Sequence, residues 1–323
     1  MPLPYHSRRM PTPARGEHVI AVDLGGTKIA VALADARGRL RCRLAEPVDT
    51  SSATSVLDQI VRMARAADDS GAMAIGVAVP GLVRRDGTVW APNLPGWDAF
   101  PLARRLRQRL RLPVHVESDR NAAVLGEVWR GAARGKSDVI VLIVGTGIGA
   151  GILSAGGLVR GAHELSGCAG WLVVSDSTNE WTDRCGSLES LTAGPAVGRA
   201  FGSDTAAAAD AARHGDKRAQ EIFKTAGRLL GYGVANLISV LDPEVVVLTG
   251  GLSNAADLFL EELKRAVSER AQPLSAPKVG IVVSTLQADA NLLGAARLAI
   301  GNSGSPTRAR QSSSTATMKK AQS

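Results

Sequence analysis

Aromatic residues are scarce in this sequence, at 3% of its 323 residues, and cysteines are scarcer still, at three. So few aromatic side chains exclude the stacking platform that binds single-stranded nucleic acid. Cys42, Cys168 and Cys185 show no paired spacing, which favours reduced thiols over a disulfide framework. No apolar run reaches the roughly 18 residues that span a bilayer, and the N-terminus lacks the apolar centre of a secretory signal. We therefore expect a cytoplasmic protein that does not contact a membrane.

Positive charge is in excess, with a net charge of +8, but its position matters more than its size. Residues 1–17 carry +2 and residues 302–323 carry +4, which leaves +2 for the body of the chain. The first segment is rich in Pro and Arg and the second in Ser, Thr and Lys, and we predict that both are disordered tails. Because the tails supply most of the charge, we expect no nucleic-acid partner.

Glycine is abundant, and many of the 35 glycines follow apolar runs directly. Residues 18–35 and 138–157 share one plan, which is an apolar run, a Gly/Thr turn and a second apolar run. This repeat indicates a duplicated α/β architecture with a cleft between the halves. We assign residues 18–121, together with a C-terminal helix at 290–301, to a smaller α/β domain. Residues 122–289 then form a larger α/β domain.

Three glycine-containing turns follow apolar strands and offer backbone N–H groups to phosphate oxygens. The candidate ATP-binding residues in these turns are Asp23, Gly25, Gly26, Thr27, Lys28, Gly145, Thr146, Gly147, Gly250 and Gly251. Asp23 can hold Mg²⁺ through water, while Thr27 and Lys28 can meet the transferred phosphoryl group. Gly250-Gly251 can receive the adenosine.

Each turn alone is weak evidence, because glycine-rich turns without a ligand are common. None of them matches the P-loop pattern. The second turn also leads into a strand rather than a helix, which counts against a dinucleotide-binding fold. Three such turns after three apolar strands nevertheless favour a nucleotide site.

Over residues 18–301 the sequence resembles the ROK family (repressors, open reading frames, kinases), whose members include bacterial sugar kinases. The segments that carry the resemblance are DLGGTK (23–28), GVAVPG (76–81), NLPGW (93–97), ESDRNAAVLGE (117–127), VGTGIGAG (144–151), CGSLES (185–190) and LTGG (248–251). The resemblance implies an actin-like (ribonuclease H-like) ATPase fold with two α/β domains around a central cleft. It also implies a sugar and ATP as ligands, Mg²⁺ as cofactor, and a homodimer as one expected assembly.

Residue by residue, the resemblance implies that Asp119 is the catalytic base. Carried over in the same way, Gly81, Asn93, Ser118 and Glu189 contact the sugar or close over it. Two alternatives stay open from the sequence itself. Asp119 fits a plain helix N-cap, and Asn93 fits a turn residue.

The sequence departs from the family pattern at the expected sugar and zinc sites. Cys168 stands where the family has a sugar-binding Glu, and Trp171 stands where it has a zinc-binding His. The three zinc cysteines are replaced by Glu180, Thr182 and Ser187, so we predict no structural zinc. Trp171 is expected either to contact the sugar or to fill the place of the lost zinc module.

These observations together predict an ATP-dependent hexose 6-kinase. Since the departures concentrate at the sugar site, the acceptor is expected to be glucose or an aminohexose such as kanosamine, which some ROK-like kinases of antibiotic pathways use. A sugar-responsive ROK-type transcription regulator is disfavoured, because only 17 residues precede the first strand. A three-helix DNA-binding unit needs more. A sugar-binding protein without turnover is the third hypothesis.

Overall fold

The structure is a computed structural model, and it describes residues 18–69 and 71–302. The predicted tails lie outside the described residues, except that residue 302 ends the last helix. Within the described residues, no helix is both long enough and apolar enough to cross a membrane.

Strands and helices are numbered here in chain order. The strands are β1 His18–Leu24, β2 Lys28–Asp35, β3 Leu40–Pro47, β4 Ala74–Val79, β5 Leu82–Val83, β6 Val89–Trp90, β7 Val114–Ser118, β8 Val139–Val144, β9 Ile148–Ser154, β10 Gly157–Leu158, β11 Val245–Thr249 and β12 Gly280–Val283. The helices are α1 Ala53–Ala67, α2 Leu102–Leu110, α3 Asp119–Arg130, α4 Thr182–Cys185, α5 Ser187–Thr192, α6 Gly194–Phe201, α7 Thr205–Arg213, α8 Lys217–Leu241, α9 Ala256–Arg270 and α10 Asp289–Asn302. Short 3₁₀ helices span Ala169–Trp171 and Gly251–Ala255.

Two five-stranded sheets follow one topology. The first has the order β3-β2-β1-β4-β7 and the second the order β10-β9-β8-β11-β12. In each sheet the first three strands along the chain form an antiparallel meander. Two parallel strands then follow on the other side of the first strand, β4 beside β1 and β7 beside β4 in the first sheet, and β11 beside β8 and β12 beside β11 in the second. The repeated plan read from the sequence is therefore present in the fold. Parallel pairing also brings the carboxyl ends of β1, β4 and β7 to one edge, and those of β8, β11 and β12 to another.

Each sheet has its own apolar core. Residues of β4 and β8 form nearly continuous buried apolar runs, as expected for strands covered on both faces. Helices α1 and α2 cover one face of the first sheet, while α8 and α9 cover one face of the second. The other faces meet helices α10 and α3, respectively.

Helices α3 and α10 cross between the two sheets at very short range. A Cβ at Gly126 would lie 2.2 Å from the Ala290 carbonyl oxygen, and one at Gly294 would lie 1.7 Å from that of Ala122. Only glycine fits these crossing points. The crossing brings the start of α10 beside the start of α3, where Asp119 lies. The predicted domain boundary after residue 121 falls inside α3, so that division stays a prediction.

Candidate active site

A cavity of about 320 Å³ lies where strand ends from both sheets meet the crossing helices. Its polar lining comprises Asp23, Asp119, Thr249, Gly250, Gly251, Ser253, Asn254, Gln287 and Asn291. We call this the Asp23–Asp119 cavity. It brings together four residues that the sequence had placed at the site, from three chain segments far apart.

Asp23 lies near the carboxyl end of β1, beside the start of α10. The Asn291 Nδ2 donates a hydrogen bond of 3.1 Å to Asp23 Oδ1. Burial, together with the neighbouring charge of Asp119, raises the pKa of Asp23 to about 7, although the Asn291 hydrogen bond and the Lys28 charge lower it. Asp23 and Asp119 share one cavity, and both have a raised pKa. A divalent cation bound there would stabilise their ionised forms.

Asp119 is the first residue of α3, and Ser118 is the residue that caps this helix. The Ser118 hydroxyl accepts from the backbone N–H of Asn121 at 3.4 Å, so the reading of Asp119 as the N-cap is wrong. The Asp119 carboxylate accepts from the adjacent Arg120 N–H at 2.8 Å. Burial raises the pKa of Asp119, and the Arg120 charge counteracts this. A carboxylate with a raised pKa is a stronger base than an exposed one, which suits it to accept a proton from a substrate.

Residues 25–28 form the tight turn between β1 and β2, where the Gly25 N–H donates to the Lys28 carbonyl at 2.9 Å. Gly26, Thr27 and Lys28 are exposed there. Residues 145–147 form the corresponding turn between β8 and β9, with Gly145 N–H donating to the Gly147 carbonyl at 2.9 Å. The two turns occupy equivalent places in the two sheets, as the duplicated plan requires.

Gly250 directly follows β11 and adopts a backbone conformation that favours glycine, with φ of 93°. A Cβ at Gly250 would lie 2.5 Å from the Val144 carbonyl oxygen. A Cβ at Gly145 would lie 3.7 Å from the Gly251 nitrogen, so the second and third glycine turns are neighbours. Thr146 is exposed beside them. The structure thus places the second and third turns side by side, and of the three turns only Gly250 and Gly251 line the Asp23–Asp119 cavity.

Beyond Asp119 lies a second group of residues, which we call the Arg120 cluster: Gly81, Arg120, Cys168 and Trp171. The Arg120 Nη1 donates to the Cys168 sulfur at 3.2 Å, and Nη2 donates to the Gly81 carbonyl at 3.5 Å. Gly81 has φ of 86°, and a Cβ there would lie 2.2 Å from the Trp90 carbonyl. Trp171 belongs to this cluster because its backbone N–H donates to the Cys168 carbonyl at 3.1 Å.

Glu189 lies on α5 and contacts the β8–β9 turn. Its Oε2 accepts from the Ile148 N–H at 2.6 Å, and a Cβ at Gly147 would lie 2.9 Å from the same oxygen. Glu189 therefore helps to set the shape of this turn, and its contact with a sugar stays a prediction. Asn93 is exposed on a turn held by buried Leu94 and Trp97, and its sugar contact stays a prediction too, as does that of Ser118.

Trp171 is 56% exposed, so the expectation that it fills the place of the lost zinc module as a buried plug is wrong. Within residues 18–69 and 71–302, no three His, Cys, Asp or Glu side chains gather in a way that could hold a metal ion. The prediction of no structural zinc continues to rest on the replaced side chains.

Several cavity residues escape sequence reasoning. Asn291 meets Asp23 across 268 positions of chain, and its only local signal is an amide at the start of an otherwise apolar helix. Gln287 is a non-glycine residue at φ of 48° beside the cavity, and nothing in its local sequence indicates that conformation. Arg120 reads from sequence as one more polar residue in the first turn of a helix.

Comparison with known proteins adds a family and a fold. Residues 19–302 match the family model of the ROK family. The glucokinase of Thermotoga maritima is 32% identical over 309 residues, which cover 87% of this chain and 96% of that protein. A ROK family glucokinase of Streptomyces griseus, solved in complex with glucose and AMPPNP, is 30% identical with a TM-score of 0.75, covering 87% of this chain and 99% of that one.

A ROK family transcriptional regulator, a homologue of the E. coli MLC protein, superposes with a TM-score of 0.80. It is 21% identical and covers 89% of this chain and 78% of that chain, so this likeness shows the fold alone. The shared architecture is the actin-like ATPase fold, which confirms the fold expected from the sequence.

Proposed function

This chain belongs to the ROK family, and on that premise we propose that it is an ATP-dependent sugar kinase that phosphorylates the 6-hydroxyl of a hexose. The observation that carries the proposal is the Asp23–Asp119 cavity. Its lining combines Asp119 at the start of α3 with Asp23 near the end of β1 and with Gly250 and Gly251 after β11. The similarity to glucokinases supports the same reading.

The glycine-lined side is suited to hold the nucleotide. Backbone N–H groups of the 25–28 and 145–147 turns can approach phosphate oxygens closely, since glycine leaves the main chain unshielded. Gly250 and Gly251 leave room beside them for the adenosine. Mg²⁺, held by Asp23 through water, would neutralise phosphate charge when bound. Asn291 keeps the Asp23 carboxylate oriented toward the cavity.

Asp119 is proposed as the base that accepts the proton of the sugar hydroxyl as its oxygen forms the new bond to phosphorus. The leaving group is ADP, and the proton ends on the Asp119 carboxylate. Ser118 caps α3 and the Arg120 N–H holds one carboxylate oxygen, so Asp119 is fixed in direction. A base that is positioned before the substrate arrives contributes more to the rate than a mobile one.

Glucose and an aminohexose such as kanosamine remain the proposed acceptors from the sequence. Support comes from Arg120, the residue after Asp119, whose guanidinium contacts Cys168, one of the departures from the family pattern. The cytoplasmic location stays a proposal from the sequence, and a homodimer is proposed from the family alone.

The test is sugar-dependent release of ADP with a panel of glucose, mannose, glucosamine, N-acetylmannosamine and kanosamine. Asp119→Asn should lower kcat by about 10²- to 10⁴-fold, with the KM for ATP little changed. Asp176→Asn, at an exposed carboxylate outside the cavity, is the matched control and should keep full activity. A loss of less than tenfold in Asp119→Asn would remove Asp119 from the catalytic role.

The ROK family includes repressors as well as kinases, which keeps a sugar-responsive transcription regulator as the second candidate. It predicts salt-sensitive, sequence-specific DNA binding in a gel-shift titration and no ADP release. A sugar-binding protein without turnover predicts tight sugar binding, also without ADP release.

A further inference from the structure

Arg120 is a cation whose hydrogen-bonding capacity is largely unused. A guanidinium offers five N–H donors and pairs best with carboxylate or phosphate oxygens. Its side-chain contacts among the described residues are the Cys168 sulfur, a weak acceptor, and the Gly81 carbonyl at a long 3.5 Å. No carboxylate in residues 18–69 or 71–302 forms an ion pair with it within 4.0 Å. A half-buried guanidinium in this state favours an incoming anion.

The neighbouring Asp119 interacts with the Arg120 charge without forming an ion pair within 4.0 Å, and two further carboxylates near Arg120 are already engaged. Glu117 accepts from Ser118, Asn121 and Arg160, the last through an ion pair. Glu189 accepts from the Ile148 N–H. Arg160 is therefore paired with a carboxylate of the protein, whereas Arg120 forms no such ion pair among the described residues.

The stem of Arg120 is held in place. A Cβ at Gly149 would lie 2.6 Å from Arg120 Cδ, and a Cβ at Gly151 would lie 2.0 Å from the Arg120 carbonyl oxygen. Strand β9 therefore passes directly against this side chain. A fixed guanidinium loses little freedom when it binds a ligand, which strengthens binding.

The Arg120 guanidinium lies outside the lining of the Asp23–Asp119 cavity. Asp119 lines the Asp23–Asp119 cavity, whereas Arg120, Gly81 and Cys168 do not. Trp171 follows Cys168 by one 3₁₀ turn, and its backbone N–H donates to the Cys168 carbonyl at 3.1 Å. The Arg120 cluster thus offers a cation in contact with a thiol, with an exposed indole three residues along the chain from that thiol.

We infer that Arg120 recognises an anionic group, a carboxylate or a phosphate, on the acceptor, so that the substrate class is an acidic hexose derivative with a free primary hydroxyl. This inference rests on the proposed kinase function and sharpens it. The anion pairs with the guanidinium while the hydroxyl lies at Asp119. An ammonium group at the same place would be repelled, which ranks kanosamine below acidic acceptors.

The experiment measures kcat/KM for matched acceptors. Gluconate and glucose 1-phosphate carry the anion at C1 as a carboxylate and as a phosphate, and N-acetylmuramate carries a carboxylate at O3 without an amine charge. Glucose and kanosamine are the neutral and cationic members. Wild type should prefer at least one acidic acceptor over glucose by about tenfold or more, and the best acid identifies the anion.

Arg120→Gln should lower kcat/KM for that acid about 10- to 100-fold more than for glucose, through KM, and should leave the KM for ATP within about threefold. A loss shared equally by all acceptors would reflect removal of the charge beside Asp119. Arg120→Lys should retain part of the preference. Arg104→Gln, which removes an exposed arginine on α2, is the charge-matched control and should leave the preference intact.

A preference for glucose that Arg120→Gln leaves unchanged overturns the inference while the kinase function stands. A rise in the KM for ATP with equal loss for all acceptors also overturns it, because Arg120 would then act on the phosphates. Calorimetric titration of gluconate and glucose 1-phosphate without ATP separates the two proposals. Binding that Arg120→Gln abolishes, with no ADP release, supports anion recognition and ends the kinase function, whereas no binding and no turnover ends both.

Discussion

The two ends of the cleft are built in opposite ways. The Asp23–Asp119 cavity is formed in part by the glycine turn after β11 and by two carboxylates whose charge is unfavourable without a ligand. The turns at residues 25–28 and 145–147 repeat between the two sheets. The Arg120 cluster has no counterpart in the repeat and is formed by individual side chains. Backbone-built sites tolerate few substitutions, whereas side-chain-built sites change with single residues. The first end is therefore suited to one nucleotide, and the second to a changeable acceptor.

Apart from the loss of activity in Asp119→Asn, the largest effects that test this comparison are expected at the third glycine turn, Gly250-Gly251. Gly250→Ala should destabilise the fold by about 1 to 3 kcal/mol, because φ is 93° and the new Cβ would meet the Val144 carbonyl at 2.5 Å. Chemical denaturation measures this loss.

Gly251→Ala is the matched variant, because a Cβ at this position meets no atom within 4 Å. Its free energy of unfolding should change by less than about 0.5 kcal/mol. Because Gly251 lines the cavity, the methyl group should still raise the KM for ATP by about tenfold, equivalent to about 1.4 kcal/mol. An unchanged KM for ATP in Gly251→Ala would move the nucleotide away from this turn.

The buried, ionised carboxylate of Asp23 is expected to destabilise the protein when no ligand is bound. Burial raises its pKa from 3.8 to about 7, so the unfolded chain ionises first as pH rises. For an acid with a raised folded-state pKa, stability is lost as pH rises between the two pKa values. Asp23→Asn should therefore raise the Tm by about 2 to 4 °C at pH near 8, with the difference vanishing near pH 4.

Thermal unfolding across this pH range, without nucleotide, measures the effect. The exposed Asp176→Asn serves as control and should show no pH-dependent difference. The same Asp23→Asn enzyme should lose turnover, since the carboxylate that destabilises the free protein is the one proposed to hold Mg²⁺. A Tm difference that grows toward low pH would contradict the assignment of the raised pKa.

The sequence predicted the backbone-built end better than the side-chain-built end, for a physical reason. Apolar runs ending in glycine are local patterns, so the duplicated sheets and the turns at residues 23–28, 145–147 and 250–251 could be read directly. Asp119 was identified through the family resemblance, since locally it resembled a cap. Asn291 and Gln287 reach the cavity only because α10 crosses α3, and no local pattern encodes a contact over 268 positions.

The departures at positions 168 and 171 were visible in the sequence, but their meaning was not. Sequence alone left Trp171 as either a sugar contact or a plug, and its 56% exposure decides against the plug. Arg120 drew no attention, because an arginine in the first turn of a helix is ordinary. The proposed role of Arg120 depends on the absence of an ion-pair partner among the described residues, which only the folded structure can show.

The smallest expected effect is that of replacing Trp171, and it separates acceptor binding from nucleotide binding at the two ends of the cleft. Because the indole is 56% exposed, Trp171→Ala should leave the Tm within about 1 °C of wild type. If the indole packs against the apolar face of the acceptor ring, the acceptor KM should rise by about 3- to 10-fold while the KM for ATP stays constant. Val173→Ala, at a 72% exposed position two residues on, is the control and should change neither constant. A fall in Tm of several degrees with an unchanged acceptor KM would make Trp171 a packing residue, and the acceptor would then depend on Arg120 alone.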